Sequence, residues 1–330
     1  MTSEGEPKKT WSIGPGWRML MAGACVVMLA IGLWVWQSYA PPPPSDRPRE
    51  VASLPARNKS VPAVERVDTC SVPDLERGVP QVLPGLETVR VGWYASLTDD
   101  LCTIAFDKFW PNSPHHGLYL ADRPSVSSPF SEPQVIRSVG DAAGLGNKLA
   151  QLSPDGLELI FARGNQFFRC QRASRSAEFG DPAVWLPPDA AGAGRKLIMS
   201  RFLGPLRVLV SAENLNAGPR YSFFIVERAD PHSEFGPPKE ILLGNRSWPQ
   251  ICLRPNLLLG YYGGNQGISR QVRESEQEPF GDWERVFNAA VCGAVPGAVW
   301  VAPRDDVVFY CSPGPGSDPA GPKYIWMIRF

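Results

Sequence analysis

Residues 152–186 read LSPDGLELIFARGNQFFRCQRASRSAEFGDPAVWL. Ser153-Pro154-Asp155-Gly156 is turn chemistry: proline presets φ, aspartate bonds nearby backbone, and glycine accepts positive φ. Leu157 to Phe161 is an apolar run of strand length, and Gln166 to Cys170 is a second. Glu178-Phe179-Gly180-Asp181-Pro182 then leads into a last apolar run, Ala183 to Leu186. Short runs bounded by Gly, Pro and Asp predict strands joined by tight turns rather than helices.

The same order recurs outward in both directions. Pro129-Phe130-Ser131-Glu132-Pro133, Glu234-Phe235-Gly236-Pro237-Pro238 and Pro279-Phe280-Gly281-Asp282-Trp283 are each followed by a short apolar run. With Phe179, the Phe positions stand 49, 56 and 45 residues apart. A period of about 40–50 residues marks a radial or solenoid repeat. Strands at Gly117 to Ala121, Tyr221 to Val226 and Ile268 to Val272 precede these elements, with earlier runs at Leu101 to Phe106, Arg207 to Val210, Leu257 to Tyr261 and Val307 to Tyr310. One more short run opens each unit. Four short strands per unit predict an all-β propeller blade.

The order of strand, SPDG turn, strand, strand ending in Arg, then PFG-x-P and a last strand resembles the WD40-like repeat of TolB-type bacterial propellers. The likeness covers about three quarters of the chain and is strongest in residues 152–186. In the other units Asp99-Asp100, Gly204-Pro205 and Pro255-Asn256 replace the turn. The motifs are structural, so the resemblance implies a fold, and beyond it an interaction platform in the cell envelope.

From Val79 to Phe330 there are 252 residues, which gives five units of about 50. Six blades would need about 42 each, a tolerated length, but no sixth Phe-Gly element is present. Five blades are expected, with six in reserve. The fifth unit stops after Lys323 to Arg329, whereas Val79-Pro80-Gln81-Val82-Leu83 carries the missing last-strand pattern. The N-terminal strand is therefore expected to complete the last blade, which removes the open sheet edges.

Residues 1–78 differ in kind. Met19 to Trp36 contains no charge, and the apolar segment through Tyr39 is long enough for a bilayer-spanning helix. Lys8, Lys9 and Arg18 before it favour an inside N-terminus. Pro41 to Pro44 follow at once, which argues for an uncleaved signal-anchor. Residues 1–18 are thus expected as a cytoplasmic tail, 19–39 as a transmembrane helix in the inner membrane, 40–78 as a Pro-rich linker and 79–330 as a periplasmic propeller. Nine of the chain's 35 prolines fall in residues 41–80, and such a stretch cannot bury a core.

Lys+Arg and Asp+Glu are 33 each, so nothing in the balance favours nucleic acid. First strands are expected near Arg90, Lys148, Lys196, Arg246 and Val299. Together with Arg195, those cations predict a basic channel mouth suited to an envelope protein or an anionic cell-wall polymer. Trp93, Trp248 and Trp300 also lie near first strands; inter-blade packing and ligand stacking are both readings of them. No catalytic residue, metal site or cofactor is assigned. The acids sit mainly in turns, no G-x-S-x-G elbow occurs, and no metal-ligand spacing is present. A non-enzymatic binding module is the expectation. The alternative is a five-bladed glycosidase or lectin, the former needing two carboxylates about 5–9.5 Å apart. Six cysteines lie beyond Cys25, and disulfides and free thiols remain equal readings.

Overall fold

A computed structural model describes residues 76–330, apart from 93, 109–116, 141–146, 217–219, 242, 244–250, 255, 265, 294–296, 303–306 and 319–320. The expected tail, transmembrane helix and most of the linker lie outside the described residues. Among the described residues no helix is long and apolar enough to cross a membrane.

Among the described residues, twenty strands form five four-stranded antiparallel sheets. Blade 1 holds β2 (Ala95–Leu97), β3 (Thr103–Lys108), β4 (Gly117–Asp122) and β5 (Gln134–Val135). Blade 2 holds β6 (Asn147–Leu152), β7 (Glu158–Arg163), β8 (Gln166–Gln171) and β9 (Ala183–Leu186). Blade 3 holds β10 (Arg195–Gly204), β11 (Arg207–Asn214), β12 (Tyr221–Glu227) and β13 (Lys239–Ile241). Blade 4 holds β14 (Cys252–Leu253), β15 (Leu259–Gly264), β16 (Gly267–Val272) and β17 (Glu284–Asn288). Blade 5 combines β18 (Gly297–Val301), β19 (Val307–Ser312) and β20 (Tyr324–Arg329) with β1 (Gln81–Val82) from the other end. Gln81 pairs with Met327 and Val82 with Trp326, so the N-terminal strand does close the last blade. One inner strand starts later than the sequence suggests, β2 at Ala95 rather than near Arg90, while the expected start near Arg246 lies outside the described residues.

The core is a ring of five clusters, one between each pair of neighbouring blades. Alternate residues of one strand serve opposite clusters. On β7, Leu159 and Phe161 face blade 1, whereas Ile160 faces blade 3. On β19, Val307, Phe309 and Cys311 face blade 1, whereas Val308 and Tyr310 face blade 4. A strand buried on both faces reads as a continuous apolar run, which is why these segments show no polar alternation.

The repeated Arg and Phe form a clamp. Arg123, Arg172, Arg228 and Arg273 each stand seven residues before Phe130, Phe179, Phe235 and Phe280. Each guanidinium lies 4.4–4.8 Å from its ring centre. Each Nε–H also donates to a carbonyl of the turn between the first two strands: Leu101, Gly156, Pro205 and Leu257, at 2.7–2.8 Å. All four arginines are buried. A buried guanidinium is tolerable because its donors meet carbonyls and its face meets an aromatic ring.

The turns themselves require a left-handed residue. Gly156 supplies it at φ 76° in blade 2, but Leu101 and Leu257 occupy the equivalent places at φ 60° and 58°. A bulky residue there is strained. Both leucines are buried in the clusters that blade 1 shares with blade 5 and blade 3 with blade 4, and that burial offsets the strain.

Candidate functional site

The inner strands end around a cavity of about 80 Å³ on the propeller axis. All five blades contribute: Leu97 ends β2, Leu152 ends β6, Phe202 lies in β10, Leu253 ends β14, and Trp300 lies in β18. Asp99, Pro154 and Arg254 of the adjoining turns form the rim. The Asp99 N–H donates to the Pro154 carbonyl at 3.0 Å, which ties the turns of blades 1 and 2. Burial of the Asp99 carboxyl raises its pKa; Arg254 opposes this, while Asp100 and Asp155 add to it.

Arg201 enters this cavity from the middle of β10. Only 3% of it is exposed. Its guanidinium crosses the axis, where Nη1 donates to the Val299 carbonyl of blade 5. Blades 3 and 5 are not neighbours in the ring, so this bond spans the channel. Nε has no partner. Tyr94 fills the channel in a similar way, packing against both the blade 5–blade 1 cluster and the blade 2–blade 3 cluster. The Ser96 hydroxyl accepts from the Leu152 N–H at 2.9 Å and stitches two inner strands. A channel crossed by these side chains is a packed axis with a shallow mouth.

The described cations expected at the channel open the inner strands, away from the cavity. Lys148 and Lys196 are exposed at the first residues of β6 and β10, the end of the inner strands opposite to the cavity. Arg195, beside Lys196, is bound to its own blade: it pairs with Glu240 at 3.1 Å, donates to the Ala191 carbonyl at 3.0 Å and covers Phe224 at 5.2 Å. Arg90 is exposed before β2, next to Val91, which bridges Lys323 of blade 5. Trp300 does line the axis, but at the cavity end, and its ring packs on Phe309 at 5.4 Å. Trp93, Arg246 and Trp248 lie outside the described residues.

Two features escaped sequence reasoning. Arg201 is one of many arginines, and only the register of β10 sends it inward. Glu158 is the other. Its Oε1 accepts from Arg228 at 2.7 Å, Gln171 at 2.8 Å and Arg169 at 3.1 Å, all within the blade 2–blade 3 interface. A carboxylate inside the apolar run Leu157 to Phe161 was the available signal, because burying it requires such partners. Arg169 reaches on to Glu234 at 3.0 Å, beside a groove of about 300 Å³ that Trp185 also lines.

Among the described residues, no group of three or more His, Cys, Asp or Glu is placed to hold a metal ion. Among the described residues, Cys170, Cys252, Cys292 and Cys311 are buried thiols outside any disulfide. Burial pushes the Cys170 thiol up to about 12 and Cys292 to about 11.

No family model matches the chain. No curated protein matches it either. Solved structures do match, at low identity. The chain aligns with a functionally unknown protein from Desulfotomaculum acetoxidans at 13% identity and TM-score 0.36, over 67% of this chain and 62% of that one. It aligns with the catalytic domain of the Coprinopsis cinerea GH62 α-L-arabinofuranosidase at 9% identity and TM-score 0.49, over 77% and 96%. A periplasmic gluconolactonase of Pseudomonas aeruginosa aligns at 10% identity and TM-score 0.39, over 66% and 64%. Such likenesses carry no functional information, and the five-bladed fold stands on the sheet topology.

Proposed function

We propose that this chain is a non-enzymatic, TolB-like binding propeller, tethered to the bacterial inner membrane through residues 19–39 and held in the periplasm by its Pro-rich linker. The observation that carries the binding reading is the bond from Arg201 across the axis to Val299. Glycoside hydrolysis needs paired carboxylates, whereas this bond fills the cavity with a guanidinium. Among the described residues lining the cavity, Asp99 is the single carboxylate. The tether rests on the uncharged run Met19 to Trp36 and the prolines that follow it. The partner is an envelope protein or an anionic wall polymer, met by exposed cations such as Lys148 and Lys196 at the other mouth.

The test has two arms. Protease treatment of spheroplasts should degrade the propeller while the membrane stays intact; full protection overturns the topology. The whole chain should turn over no member of a chromogenic glycoside and lactone panel, and should lose its captured partner in a Lys148→Glu/Lys196→Glu variant. Steady turnover at a rate abolished by Asp99→Asn would instead establish a hydrolase.

A further inference from the structure

We infer that the axial cavity is a binding site for a carboxylate on a short apolar stem, with Arg201 as its anchor. The inference deepens the binding-module reading and rests on it. A guanidinium stays ionised in proteins and carries five N–H donors. Among the described residues, that of Arg201 meets one carbonyl and no carboxylate, and it is 97% shielded, since 3% remains exposed. A buried charge without a counterion is costly. Burial raises the thiol of Cys311, a group that Arg201 influences, and so keeps it neutral.

The charge balance of the cavity sets the class of ligand. Arg254 and Asp99 interact with each other. Among the described lining residues, Arg201 is a buried cation that meets no carboxylate, so a monoanion complements it. Arginine's planar fork matches a planar carboxylate. Leu97, Leu152, Leu253 and Trp300 supply apolar wall. The volume of about 80 Å³ suits a stem of a few carbons, because a cavity of ~150 Å³ already accommodates benzene. The free acid end of a larger partner enters by the same chemistry.

The experiment is ligand-observed saturation-transfer NMR on the detergent-solubilised full chain with butyrate, butyramide and inorganic phosphate. Butyrate should bind saturably, and butyramide about tenfold or more weaker, as loss of a charge-assisted bond requires. Arg201→Gln should weaken butyrate by about the same factor. Butyramide serves where that variant fails to fold, since it removes the charge from the ligand instead. Equal binding of butyrate and butyramide, preference for phosphate, or no saturable butyrate signal overturns the inference. Those results leave the binding-module reading standing, because that reading is tested at Lys148 and Lys196 and by turnover.

Discussion

Replacement of Arg172 by lysine tests the clamp that defines the repeat. Arg172 Nε donates to the Gly156 carbonyl at 2.7 Å, Nη1 donates to the Arg175 carbonyl at 2.6 Å, and the guanidinium covers Phe179 at 4.8 Å. One lysine ammonium cannot reach both carbonyls while keeping a flat face on the ring. A hydrogen bond to a charged group contributes about 1.5–3 kcal/mol, and a desolvated cation–π contact about 2 kcal/mol. Lysine retains part of this, so Arg172→Lys should cost about 3 kcal/mol. At about 2–4 °C per kcal/mol for a domain of this size, the melting temperature should fall by about 6–12 °C. Circular dichroism melts of the full chain measure it. The double-mutant cycle with Phe179→Leu should show coupling of about 1 kcal/mol. A lysine variant within about 0.5 kcal/mol of the parent, or strict additivity in the cycle, would refute the clamp as the reason for the Arg–Phe spacing.

Neighbouring aspartates should respond with opposite signs. The Asp99 carboxyl is raised by burial, so its ionised form opposes folding at neutral pH, and that cost fades as pH falls through its folded pKa. For Asp100, burial is outweighed by the Thr98 hydroxyl, Arg175 and the Cys102 N–H, so its pKa is lowered and its stabilisation is present above about pH 4, then lost in acid. Asp99→Asn should therefore raise the melting temperature at pH 7 and Asp100→Asn lower it, with both differences vanishing near pH 2; matching signs at pH 7 would contradict this. Deleting residues 1–83 should expose β20 and produce aggregation that deletion of residues 1–75 does not, as read by light scattering. Thiol reagent at pH 8 should reach Cys170 and Cys292 only on unfolding, as peptide mapping would show; labelling of either in the native chain would contradict their burial. Gly156→Ala should cost about 1–2 kcal/mol in chemical denaturation, because the new Cβ meets Thr98 Cγ2 at 2.9 Å and φ is 76°.

The glycine of the Phe-Gly element turns out to be a preference, not a requirement. A Cβ at Gly180, Gly236 or Gly281 would meet a carbonyl at 3.4–3.5 Å, an ordinary contact, and blade 1 places Ser131 there with the same backbone bond to Asp122. The turns that carry Asp100 and Asn256 likewise keep one conformation in different residues, since Leu101 and Leu257 adopt the positive φ that Gly156 holds. Local chemistry thus explains why the repeat is legible despite its variation. The site is another matter. Residues that open the inner strands suggest a basic mouth, but pairing over a distance is absent from that pattern: Arg195 is held by Glu240, 45 residues away.

The sequence by itself favoured five blades over six and determined the order of strands, the turns and the closure of blade 5 by Val79 to Leu83, because each depends on short-range pattern repeated at a fixed period. Only the tertiary structure decided which inner-strand side chains reach the axis. That depends on strand phase, and a slip of one residue turns a side chain to the other face. It also decided that Arg201 of blade 3 meets Val299 of blade 5, a contact between residues 98 apart. No local pattern encodes it, since it exists only once five separate sheets have closed into a ring.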